Sequence, residues 1–235
     1  SIHSKEQTCL AAVNASLARI ARVDGKVNAC VEVLAIDARL QAAAVDRKIA
    51  AGAKLRPLEG LPILIKANTE LAGTLCTNGT PALQNWRSTG TATVVSRLID
   101  LGGAIPIAKT TMPEMAFGTN GYCSDVHPMC RNPHELNYSP GGSSSGTAAG
   151  VAAGMVSAGI GSDTAGSVRI PAECCGVAGF RPSQGRYSGE GVVPLDLRRD
   201  TVGPIAATIA DCALLDSVMA EPDETETDPQ TAAQG

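Results

Sequence analysis

Aromatic side chains are scarce: one Trp, three Tyr and two Phe amount to 3% of the 235 residues. A core must therefore be built from Ala, Val, Ile and Leu, and at 44% hydrophobic content the chain has enough of them to fill closely packed α/β layers. Basic charge is also in short supply. The net charge is -4 with no compensating basic cluster, which excludes the electrostatic footprint expected for nucleic acid or an anionic membrane surface. No apolar run reaches the length of a membrane span. The start, SIHSKEQTCLAAV, lacks the pattern of a signal peptide and reads as entry into a helix, with Ser4 as N-cap and Gln7 three residues later. The eight cysteines show no C-x-x-C and no regular framework, which predicts reduced thiols of a cytoplasmic protein. Cys123, His127 and Cys130 lack a fourth ligand and a zinc-like spacing, so no metal and no cofactor is expected.

What the chain does contain is an alternation of helical and strand-like patterns. An Ala/Leu-rich helix runs to about Ala21, a strand lies near VNACVEVL, and a helix covers DARLQAAAVDRKIAAG. PLEGLPILIKAN is an apolar β-type run that stops at Lys66; TATVVSRLIDLGG reads as a helix closed by glycine, and AIPIAKT as the strand after it. The last residues, EPDETETDPQTAAQG, are acidic and aperiodic, which predicts a flexible tail or linker over 221–235.

The densest cluster of hydroxyls is SPGGSSSGTAAGVAAGMVSAGIGSDTAGSVRIPAE, residues 139–173. A linker would lack Val151, Met155, Val156 and Ile160, whose spacing predicts a buried helix after Gly146. Gly146, Gly150 and Gly154 recur every fourth residue and allow close backbone approach in a soluble core. A phosphate loop needs a lysine after the glycines, and none is present. Gly142-Ser143-Ser144-Ser145-Gly146 formally matches the nucleophile elbow G-x-S-x-G, but the residues before it, RNPHELNYSP, are polar and broken by Pro133 and Pro140 and cannot form the central strand that the elbow follows. The three histidines, 3, 127 and 134, all precede the serine run, which argues against a Ser-His-Asp machine. The hydroxyls must find another base.

GGSSSGTAAGVAAG, then GSDTAGSVRIPAECCGVAGFRPSQGRYS, with LEGLPILIKAN upstream, resemble in this order the amidase signature family of serine hydrolases, from about residue 5 to about residue 220. GVVPLDLRRDTVGPIAATIADCALLD resembles most the branch acting on indoleacetamide and mandelamide. The resemblance implies a mixed twisted sheet flanked by helices, with 1–220 as the N-terminal, catalytic portion of a longer domain. It also implies a Ser-cisSer-Lys triad. By motif position Ser167 matches the acyl-accepting nucleophile, Ser143 the bridging serine on a cis peptide and Lys66 the base. Thr164, Ala165, Gly166 and Ser167 match the oxyanion-hole amides. Ser144 and Ser145 are assigned to support, and Asp163 and Arg169 to fixing the loop. Arg131, His134 and Arg186 have no motif support and are assigned to surface or loop roles.

That set is chemically coherent without histidine. A serine hydroxyl is a weak nucleophile until a base takes its proton, and lysine is a base only when neutral, so its pKa must fall by about three units, about 4 kcal/mol. The end of LPILI is apolar enough for that. Family members commonly carry an acidic residue directly after the lysine, where this chain has Ala67. The expected substrate is a small primary carboxamide, cleaved through a seryl acyl-enzyme with release of ammonia. A glutaminase subunit of a tRNA-dependent amidotransferase and a noncatalytic amide-binding relative are the alternatives. The resemblance further implies a second chain or C-terminal half that completes the domain, and leaves a homodimer open.

Overall fold

The computed structural model describes residues 7–122 and 126–220. Its frame is one six-stranded sheet. In chain order the strands are β1 (Cys30–Val33), β2 (Pro62–Lys66), β3 (Ile105–Thr110), β4 (Ala158–Asp163), β5 (Ala178–Gly179) and β6 (Thr201–Ala206). They are arranged β1-β3-β2-β4-β6-β5. β2 runs parallel to both its neighbours, β3 and β4, whereas β1, β5 and β6 join antiparallel. The sheet is therefore mixed, as the motif resemblance implied.

Among the described residues six α-helices flank it: α1 (Cys9–Val27), α2 (Ala35–Ala50), α3 (Thr93–Ser96, continued by a π turn over Arg97–Leu101), α4 (Ser145–Ala152), α5 (Arg169–Cys174) and α6 (Ile209–Met219). Alternation along β2 divides the core. Leu64 packs with α1, α2 and α4 through Val13, Leu17, Ala42 and Ala148. Ile63 and Ile65 point the other way, into a layer with Val94, Leu98, Cys212 and Leu215. Each of these three side chains is fully buried, worth about 2 kcal/mol apiece relative to exposure.

Two sequence expectations change here. Ser4 lies outside the described residues, and helix α1 starts later, at Cys9, where Thr8 is the N-cap and its hydroxyl accepts from Ala11 N at 3.0 Å. The first-turn amides of Cys9 and Leu10 donate to the Asp46 carboxylate of α2, so the helix end is held by a tertiary partner. The helix after Gly146 is also shorter than its apolar spacing predicts. It ends at Ala152, Met155 and Val156 lie in the connection, and Ile160 belongs to β4. The cause is Gly154 at φ +68: its N–H donates to Val151 O and that of Met155 to Gly150 O, the two bonds of a left-handed helix stop. Gly146 and Gly150 do allow close approach. A Cβ on the first would stand 2.3 Å from Ala29 O, and on the second 2.5 Å from Leu64 Cδ1. The acidic segment 221–235 lies outside the described residues.

Candidate active site

Three segments converge where β2 and β4 end side by side. β2 delivers Lys66 as its last residue, wholly buried. β4 delivers Ser162 and Asp163, and the turn after it carries Thr164 to Ser167 into α5. The glycine-rich approach to α4 delivers Ser143, also wholly buried, on a cis Gly142–Ser143 peptide.

The serine triplet sends its hydroxyls in three directions. Lys66 Nζ donates to Ser143 Oγ at 2.7 Å and to Ser162 Oγ at 2.9 Å, while Asn68 Nδ2 donates to the same Ser162 oxygen at 3.0 Å. Ser144 Oγ donates to Ser162 O and accepts from Ser162 N, which ties the loop to β4, and its own N–H donates to Ser167 O at 3.0 Å. Ser145 Oγ closes its own turn on Gly141 O at 2.7 Å. Ser143 is thus the member of the triplet bound to the lysine.

Burial sets the proton affinity of that lysine. With no water around it the charged form is disfavoured, and the amine falls from the usual 10.5 to about 7, although Asp163 and Asp200 pull it back toward the charged form. Asp163 itself stays ionised. Burial works against its charge, but two hydrogen bonds from Arg169, together with the amides of Gly166 (2.7 Å) and Val168 (3.1 Å), prevail and hold the carboxyl down to about 2. Arg181 adds a further ion pair at 2.9 Å. Asp163 and Arg169 therefore fix the Ser167 turn. The Gly166 N–H is spent on Asp163, whereas the amides of Thr164, Ala165 and Ser167 have no such partner among the described residues.

Several contributors were not singled out from the sequence. Ser162, Asn68, Arg181 and Asp200 all lie inside quoted motifs but carried no role there. Lys109 is a second fully buried lysine, and burial lowers its amine to about 8. It pairs in register with Ile65, not Lys66, so it leaves the sheet on the opposite face and donates to Thr69 O. Ala67 is fully buried against Met112 and Ala116. His134 and Arg186 have structural partners, Cys175 O and Asp216. Arg131 Nη1 donates to Leu136 O. Cys123 lies outside the described residues, and among those described no group of three or more His, Cys, Asp or Glu side chains is placed to hold a metal ion.

A pocket open to solvent adjoins the hydroxyl cluster. Asn68, Ser162, Thr164 and Asp200 line its polar end, and Tyr187, Val192, Val193, Pro194, Leu195 and Leu197 its apolar wall.

The sequence profile described as Amidase matches residues 11–234. Mandelamide hydrolase of Pseudomonas putida is 41% identical over 211 residues, 88% of this chain and 41% of that protein. A glutamyl-tRNA(Gln) amidotransferase subunit from Anaeromyxobacter dehalogenans (strain 2CP-C) is 42% identical over 203 residues, 86% of this chain and 41% of that protein. Among solved structures, native peptide amidase from Stenotrophomonas maltophilia superposes with a TM-score of 0.90 at 36% identity, covering 99% of this chain and 48% of that one. The chain spans about half the length, or somewhat less, of the relatives it matches.

Proposed function

The chain belongs to the amidase family, and from that premise we propose that it hydrolyses the C–N bond of a small primary carboxamide, with Ser167 as nucleophile, Ser143 as proton relay and Lys66 as base. The observation that carries this reading is the buried Lys66 amine, drawn to about 7 and 2.7 Å from the Ser143 hydroxyl. A neutral amine takes the Ser143 proton while Ser143 takes that of Ser167, whose oxygen attacks the amide carbonyl. Negative charge then develops on the carbonyl oxygen, and the unspent amides of Thr164, Ala165 and Ser167 stabilise it; one such donor is worth about 3 kcal/mol in related chemistry. Collapse returns a proton through Ser143 to the nitrogen, releases ammonia and leaves an ester on Ser167. Water, activated by the same relay, hydrolyses that ester.

The pocket supports an apolar acyl group. Its wall among the described residues is built from Val192, Val193, Leu195 and Leu197. A second chain or remaining segment that completes the domain belongs to this reading, supported by the partial span of the relatives and by one of them being named as a subunit. A cytoplasmic setting is supported by seven free cysteines among the described residues, which suit a reducing compartment. Among the described residues no helix is long and apolar enough to cross a membrane.

A fluorophosphonate probe tests the assignment directly. Labelling of a peptide containing Ser167, together with ammonia release from an apolar primary amide in the absence of any partner, is the expected result. Labelling confined to Ser143, Ser144 or Ser145 overturns it.

A further inference from the structure

The side chain of Asp200 divides its two oxygens between two segments that sequence keeps far apart. Oδ2 accepts from Leu195 N at 2.6 Å and from Asp196 N at 2.9 Å, so it fastens the loop that supplies Leu195 and Leu197 to the pocket wall. Oδ1 accepts from Thr164 Oγ1 in a close hydrogen bond that spans 36 positions of chain. Thr164 is the first residue of the turn that ends at Ser167. The register explains the meeting: Asp163 pairs with Thr201 across β4 and β6, so the residue before β6 lies beside the residue after β4. A carboxylate that merely capped its own loop would need one oxygen for that task; the other is committed to the nucleophile's turn.

We propose that Asp200 is a positioning residue for amide hydrolysis, stapling the wall that receives the acyl group to the turn that carries Ser167 and the oxyanion donors. The inference rests on the Ser167–Ser143–Lys66 reading. Through this staple, the wall that orients the acyl group and the amides that meet its carbonyl oxygen form one rigid unit, which is the geometric condition for an effective oxyanion hole. The Asp200 carboxylate also lies within electrostatic range of Lys66, whose charged form it favours. Of the other charged groups about this site, Asp163 faces Lys66 from β4, Arg169 and Arg181 face Asp163, and Arg198 and Arg199 face Asp196.

The two contributions separate in a variant series made in the full natural chain. Thr164→Val removes the staple and keeps the charge, so kcat falls by about tenfold while KM and the acid limb of the pH profile hold. Thr164→Ser recovers most of the loss. Asp200→Asn lowers kcat as well, and moves the acid limb to lower pH, because without the neighbouring negative charge the Lys66 amine sheds its proton more readily. Circular dichroism and fluorophosphonate labelling of Ser167 in each variant confirm an intact fold and nucleophile. A Thr164→Val enzyme with parental kcat, or an Asp200→Asn enzyme whose acid limb stays in place, overturns the inference while the triad stands. Labelling of the parent away from Ser167 overturns both.

Discussion

β2 and β4 lie side by side in the sheet, pair residue for residue at Ile63 with Ala158, Leu64 with Gly159 and Ile65 with Ile160, and are buried at every position. Their sequences have little in common. PILIK is a run of large apolar side chains that ends in a lysine, and AGIGSD alternates glycine with other residues. The difference lies in what each strand makes room for. β2 fills both core layers with its own side chains, whereas β4 gives up its volume to the hydroxyl loop. A Cβ on Gly161 would stand 2.3 Å from Ser144 Oγ, and one on Gly159 would stand 2.8 Å from Thr147 Cγ2. One strand contributes bulk and a buried lysine, and its neighbour contributes absence of bulk and an anchor for that lysine, Ser162.

Four substitutions sharpen this contrast. Lys66→Met preserves the stem of the β2 lysine and deletes the proposed base, and should lower kcat/KM by about 10²–10⁴ without unfolding the protein. Because only the uncharged amine accepts the serine proton, parental kcat/KM should rise with pH through about 7, low on the acid side, and Lys66→Met should lose that limb. A folded Lys66→Met enzyme with the parental profile would assign the base to another group. On the β4 side, Gly161→Ala should destabilise the fold by about 2–3 kcal/mol in denaturant titration, since Ser144 must leave its bonds to Ser162; a neutral result would show that β4 has spare room. Ser162→Ala takes from the Lys66 amine one of its two hydroxyl anchors and should cost about tenfold in kcat, and about 1–3 kcal/mol in stability because the buried Lys66 and Asn68 donors lose an acceptor. Ile65→Val trims bulk from β2 away from the chemistry. It should cost about 1 kcal/mol in stability and leave kcat at the parental value.

The same contrast explains what could be read in advance. Strands β1, β2 and β3 and helix α2 were legible because period and bulk are written in their own residues. β4 and β6 were not, because AGIGSD and TVGPIA carry glycine and proline where a strand pattern calls for branched side chains. Gly203 shows the reason in β6: a Cβ there would stand 2.3 Å from Phe180 O. The helix after Gly146 was overextended for a related cause, since the apolar series runs unbroken from α4 through the connection into a strand, and what interrupts it is the backbone angle of Gly154. For the proposed site, the motif resemblance pointed to Lys66, Ser143 and Ser167, but gave Ser162, Asn68 and Asp200 no role because their partners come from other segments.

The order of motifs determined, from residues alone, the family of the chain and the three positions where its chemistry is expected. The tertiary structure decided the proton affinity of that lysine. A pKa near 7 depends on the removal of water from around Lys66 by segments 77 and 96 positions away, balanced by Asp163 and Asp200. Side-chain type and spacing are local properties of a sequence, but desolvation and the field of distant charges exist only once the strands have come together.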